Sequence, residues 1–91
     1  MKVTNREDVR KIVRGYLVEA GFLNEKDSLD DQAELQADLG MDGLDQVEMC
    51  MTLEETIGIM IPDDDADEFE TIKDVIDFIM EEGPKQPYLG Q

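Results

Sequence analysis

Apolar residues near both ends of this chain recur three, one, three and one positions apart. Toward the start they are Val9, Ile12, Val13, Tyr16 and Leu17; toward the end they are Ile72, Val75, Ile76, Ile79 and Met80. That spacing lines one face of an α-helix and does not fit the alternation of a half-buried strand. One-sided helices are stable only when they bury their apolar faces against one another, which points to a helical bundle. The chain has 91 residues, enough for one small domain with a single core and modest stability.

The punctuation between these segments outlines four helices. Thr4-Asn5-Arg6-Glu7 reads as a Thr-x-x-Glu capping box opening the first, and Gly21 is its expected stop. A long connection follows, from Phe22 to about Met41. It is polar but punctuated by Leu29, Leu35 and Leu39, which offer it packing of its own. The second helix is expected from Asp42-Gly43-Leu44-Asp45 to about Ile57, with Val47, Cys50, Leu53 and Ile57 on one face and Gly58 at its end. Ile59-Met60-Ile61-Pro62 reads as an extended link, since a residue before proline avoids the helical region. Asp63 to about Phe69 gives a short acidic helix. Thr71 caps the last one, and Gly83-Pro84 stops it. The expected fold is therefore all-α: a small four-helix bundle of three longer helices, one short third helix and a long first loop. Residues 1–83 form the single domain and 84–91 a flexible tail. No convincing strand is visible.

Charge narrows the function. The chain carries 24 acidic and 8 basic side chains and no histidine, for a formal charge of −16. The acids are not scattered. Between Asp27 and Ile72 lie 16 acidic residues and no Lys or Arg, while the first 14 residues hold Lys2, Arg6, Arg10, Lys11 and Arg14. Such a field repels nucleic-acid phosphates and anionic membranes and favours a partner with a basic patch. A single cysteine and no histidine exclude a disulfide framework, a Cys/His zinc site and any His-dependent catalytic triad. The start of the chain shows no apolar signal run, and no stretch approaches transmembrane length, so a cytoplasmic protein is expected.

One segment carries more than periodicity. Asp38-Leu39-Gly40-Met41-Asp42-Gly43-Leu44-Asp45-Gln46-Val47-Glu48 resembles the attachment motif of acyl carrier proteins, roughly D-L-G-x-D-S-L-D-x-V-E at the start of the second helix. The likeness continues through Leu53-Glu54-Glu55 and Ile61-Pro62-Asp63 into the helix from Thr71 to Phe78, covering about residues 4–82. The resemblance implies a fold of acyl-carrier-protein type. It also implies a carrier rather than an enzyme, one that holds acyl chains as thioesters on a phosphopantetheine arm for fatty-acid or polyketide biosynthesis. It implies partners as well: synthases, acyltransferases and phosphopantetheinyl transferase, whose basic patches grip the acidic second helix of a monomeric carrier. The matching recognition positions are Asp42, Leu44, Asp45, Val47, Glu48, Met51, Glu54, Glu55 and Ile61.

One position departs from the motif, and it is the chemical one. Gly43 stands where the family has the serine that is esterified to the arm. Glycine has no side-chain oxygen, so no arm is expected on this chain unless Gly43 is reverted to serine. Thr52, Ser28 and Cys50 do not substitute, being too far along the helix, back in the first loop and on the apolar face. The glycine is either a replacement in a natural carrier or the mark of a chain that keeps the fold as a docking or regulatory surface. Intact Asp42 and Leu44 favour the first. An acidic nucleic-acid mimic would explain the charge but not the motif.

Other features take plainer readings. Cys50 is expected as an inert core thiol. Met49, Met60 and Met80 are expected to pack ordinarily, and Met51 to meet partners. The run from Asp63 to Glu68 has acids at the first, third and fifth positions of a calcium loop, but Glu68 falls where glycine is needed and Asp74 where glutamate is needed. No specific metal site is expected there, only weak screening by divalent ions.

Overall fold

The computed structural model describes residues 5–85. Helix α1 spans Arg6–Ala20, α2 spans Gly43–Leu53, α3 spans Asp63–Glu68 and α4 spans Ile72–Glu82. A π-helical turn over Glu54–Gly58 prolongs α2, and a 3-10 turn over Gly83–Lys85 follows α4. Among the described residues the only extended pairing is an isolated antiparallel bridge between Glu34 and Thr71. The all-α bundle of three longer helices and a short third one is what the periodicity requires.

Helix starts and stops follow local chemistry, with one shift. Asn5, not Thr4, caps α1: its side chain accepts from the Asp8 backbone N–H at 2.9 Å. Asparagine is among the best capping residues, and this moves the start on by one residue; Thr4 lies outside the described residues. Gly21, at φ 90°, closes α1 in a Schellman motif, with Phe22 N–H bonded to Leu17 O at 2.8 Å and Gly21 N–H to Val18 O at 3.2 Å. Thr71 and Asp74 form a reciprocal capping box on α4. The tail expected from residue 84 begins inside the 3-10 turn, and 86–91 lie outside the described residues.

Val9, Val13 and Leu17 of α1 are buried against Ile72, Val75, Ile76 and Ile79 of α4, joined by Met49, Cys50, Leu53 and Ile57 from α2 and its π turn. Of the face expected on α2, Cys50, Leu53 and Ile57 are buried and Val47 is only half-buried; Gln46 and Met49 are buried beside them, so the inward face extends past the side read off Val47 toward Gln46 and Met49. Phe69 and Phe78 meet edge to face, with centroids 5.6 Å apart.

The long first loop is built in from three sides. Leu29 and Leu35 are core residues and Leu39 is half-buried. Arginines one turn apart on α1 hold its outer edge. Arg6 bonds Asp31 at 3.2 Å and Asp77 of α4 at 2.7 Å. Arg10 pairs with Asp31 and donates to the Leu29 carbonyl, and Arg14 donates to the Glu25 and Asp27 carbonyls at 2.6 and 2.9 Å. The loop in turn supplies the orphan amides at the start of α4: Ile72 N–H bonds Ala33 O at 3.1 Å and Lys73 N–H bonds Asp31 O at 2.8 Å.

Gln46 ties the remaining pieces together. Only 2% exposed, it donates to the carbonyls of Ala66 and Phe69 at 3.3 and 3.2 Å, while its oxygen accepts from Gln36 of the first loop at 3.0 Å. Gln46→Ala should cost about 2 kcal/mol in urea unfolding, because it strands buried carbonyls. Gln36→Ala, at an exposed residue, should cost a fraction of that; equal losses would remove Gln46 from this role.

Asp77 supplies a pH dependence. Hydrogen bonds from Lys73 and Arg6 hold its carboxyl below its ordinary value of 3.8. The folded state thus binds this proton less readily than the unfolded chain, so the contribution is present at neutral pH and is lost as pH falls through the depressed value. Asp77→Asn should therefore lower stability at pH 7, with the deficit against the unaltered chain closing on acidification below 3.8. A deficit independent of pH would show that its charge is not the cause.

Candidate functional site

The site is the solvent-facing start of α2. Gly40, in the left-handed region at φ 72°, ends the turn built on Glu34 and Gln36 and sends the chain into the helix. Asp42 is the N-cap. Its carboxylate accepts from Asp45 N–H at 2.8 Å, and the Asp45 carboxylate accepts from Asp42 N–H at 3.0 Å. This closed box starts the helix without help from position 43. Gly43 is the first helical residue and is exposed, and a Cβ added to it would meet nothing within 4 Å. Its φ is not positive, so the backbone makes no demand for glycine.

From that point an exposed stripe runs along α2. Leu44 is 67% exposed and Met51 is 55% exposed, both large apolar side chains held in water. Glu48 and Glu55 are exposed beside them and Val47 is half-buried at the edge. Positions 44, 48 and 51 fall four and three apart, which keeps them on one face of α2; exposed Glu55 follows in the π turn. Along this face exposed Leu44 and Met51 alternate with the Glu48 carboxylate, and the face belongs to a stretch with no cation of its own.

The structure does not bring all nine expected recognition residues to that face. Asp45 is half-buried and committed to the capping box. Glu54 is half-buried, and its carboxylate accepts from the Ile61 backbone N–H at 2.7 Å, pinning the link that leads to α3. Ile61 itself is 3% exposed and part of the core, so its side chain is not presented to a partner. An isoleucine flanked by exposed Met60 and Pro62 carries no local signal of burial; the Glu54 bond that anchors it inside is a tertiary contact. Gln46 was the residue missed, because a polar side chain at an unassigned motif position gives no sign of burial until its partners are known.

Among the described residues no neighbouring side chain replaces a hydroxyl at position 43. Thr52 is nine residues on, about 14 Å along the axis, and its hydroxyl donates to Glu48 O at 3.1 Å. Ser28 lies in the first loop. Cys50 is buried in the core, and burial with the nearby carboxylates of Glu54, Asp63 and Asp67 pushes its thiol up to about 12; it is no nucleophile at neutral pH. The residues present do not fit a phosphodiester-linked group at this point. Among the described residues no three His, Cys, Asp or Glu side chains converge as metal ligands, and no helix is long and apolar enough to cross a membrane.

The geometry separates two contributions that sit one residue apart. Asp42→Ala should cost about 1 kcal/mol by thermal or urea unfolding, the usual worth of an N-cap. Gly43→Ser should change stability by less than about 0.5 kcal/mol, since the position is exposed and a Cβ there clashes with no residue beyond its chain neighbours and its own helix backbone. A large loss on Gly43→Ser would mean the start of α2 depends on glycine.

Comparison with known proteins bears on this site directly. Residues 11–79 match the family model described as the phosphopantetheine attachment site, which is most of the chain. An acyl carrier protein of Thermosynechococcus vestitus (strain NIES-2133 / IAM M-273 / BP-1) is 48% identical over 48 residues. That stretch is 53% of this chain and 59% of the relative, so the match spans little more than half of either. With a four-helix bundle, the D-L-G motif placed at the entrance to α2 and a family match over most of its length, the chain belongs to the acyl carrier protein family.

Proposed function

We propose that this chain is an acyl carrier protein of fatty-acid or polyketide-type biosynthesis, built to present acyl chains to partner enzymes through its acidic second helix but unable to hold the phosphopantetheine arm as written. It is a carrier or binding protein rather than a catalyst, acting as a cytoplasmic monomer. Its partners are synthases, acyltransferases and phosphopantetheinyl transferase with basic patches, and neither nucleic acid nor membrane is among them. The observation that carries this reading is the state of position 43: exposed, first in the helix, unconstrained and flanked by an intact Asp42 and Leu44, yet without an oxygen.

Contacts to the partner are assigned to Asp42, Leu44, Val47, Glu48, Met51 and Glu55. Asp45 and Glu54 serve the fold first and add negative charge to the same face. Ile61 contributes only if the link around it opens. In a second reading the chain is a docking or regulatory protein that has given up carrying. It is favoured by the missing oxygen itself, together with the absence, among the described residues, of a substitute nucleophile near position 43.

Intact mass separates the readings. The Gly43→Ser chain, incubated with a broad-specificity phosphopantetheinyl transferase and coenzyme A, should gain one phosphopantetheine, while the unaltered chain gains none. Failure of both to gain mass would mean the surface around position 43 no longer serves a transferase, leaving the docking protein.

A further inference from the structure

We infer that Met51 and Met60 are reversible oxidation sites: hydrogen peroxide converts their thioethers to sulfoxides while the fold stands, and the molecule loses two of its three large exposed apolar side chains. The inference concerns the surface alone and holds under either reading of the function.

The methionines among the described residues fall into separate environments. Met49 is fully buried and Met41 is 3% exposed, both in the core. Met51 is 55% exposed and Met60 is 57% exposed. Met80, half-buried on α4, lies between these extremes. Positions 49 and 51 stand about 200° apart around α2, so one sulfur is packed and the other meets water. With Leu44, Met51 and Met60 make up the large apolar side chains exposed among the described residues. Leucine offers the same bulk but cannot be oxidised.

The step is balanced by the peroxide itself. The thioether sulfur attacks one peroxide oxygen, the O–O bond breaks as the S–O bond forms, and the other oxygen leaves as water after taking up a proton. Sulfur is oxidised by two electrons and the peroxide is reduced by two. Attack requires sulfur and peroxide to meet, which exposure permits at 51 and 60 and packing denies at 41 and 49. The core methionines react only when the fold opens. The sulfoxide is polar. At the exposed positions it is hydrated and disturbs no packing, whereas at Met49 it would put an unpaired polar group in the core. Cys50, the other sulfur that a peroxide attacks, is buried with its thiol pushed up to about 12, so it holds no thiolate to compete.

Charge selects the oxidant. Both methionines lie in the 46-residue stretch with 16 acids and no Lys or Arg. Glu48 and Glu55 are exposed near Met51 in the chain, and Asp65, Glu81 and Glu82 line a surface groove with Met60. That field repels an anionic oxidant and leaves a neutral peroxide unaffected.

The test treats the unaltered chain with hydrogen peroxide and follows peptide mass, thermal unfolding and retention on a hydrophobic-interaction column. Met51 and Met60 should oxidise at least about tenfold faster than Met41 and Met49, which react only through opening. With the exposed pair oxidised, Tm should stay within about 3 °C, as for a surface substitution, and retention should fall. Methionine sulfoxide reductases A and B with dithiothreitol should restore the retention. A chain carrying Met51→Leu and Met60→Leu should keep its retention under the same dose. Peroxymonosulfate, an anionic peroxide, should oxidise the pair faster as salt is raised, with no such rise for hydrogen peroxide. Equal rates at core and surface methionines overturn the inference. So does unfolding as the exposed pair reacts, or retention that oxidation leaves unchanged. A peroxymonosulfate rate indifferent to salt removes charge as the selector.

Discussion

Gln46 is the joint on which the arrangement of this small bundle depends. Three segments distant in sequence converge on one amide: the first loop through Gln36, the end of α3 through Ala66, and the approach to α4 through Phe69. Helix α3 is six residues of mostly acidic sequence, too short and too self-repelling to be stable alone. It is held because Ala66 is buried and its carbonyl is bonded by a side chain from α2. A buried amide with both ends satisfied fixes a register that apolar contacts alone leave degenerate. The same residue lies on the buried side of α2, beneath the face that exposes Leu44, Glu48 and Met51.

Charge is partitioned in a way the totals conceal. The arginines of α1 face inward along the first loop, spent on Asp31, Asp77 and three backbone carbonyls. They hold a twenty-residue connection that would otherwise be the weakest element. Because that basic cluster is occupied internally, it offers no counterweight to the acidic face of α2 on the far side of the sequence. The three arginines of α1 thus stabilise the fold, while the middle of the chain has no cation of its own to offset its acids.

Much of this was legible beforehand, and the reasons are physical. Helices α1 and α4 announce themselves because amphipathic spacing is a local property, and Gly21, Thr71 and Gly58 mark ends by rules that act within a few residues. The leucines of the first loop are inside because an apolar side chain in a polar run has nowhere better to go. The misreadings arise where a residue's role is set by a distant partner. Gln46 is buried and Val47 is not, because Gln46 finds its hydrogen-bond partners in the Ala66 and Phe69 carbonyls some twenty residues away. Glu54 reads as a surface acid until the Ile61 amide is placed against it. The motif singles out the start of α2, and only geometry separates its capping carboxylates from its exposed ones.

The self-sufficient cap at the start of α2 has a consequence for how such a chain can change. Where the helix is begun by the Asp42–Asp45 box, the side chain at position 43 weighs little on folding. Selection on foldability then exerts little pull on position 43 in either direction. Chemistry at that point can be gained or discarded in a single substitution, with no compensating change elsewhere. A protein with this construction sits one step from two occupations, and what keeps it in either is the demand of its partners rather than its own stability.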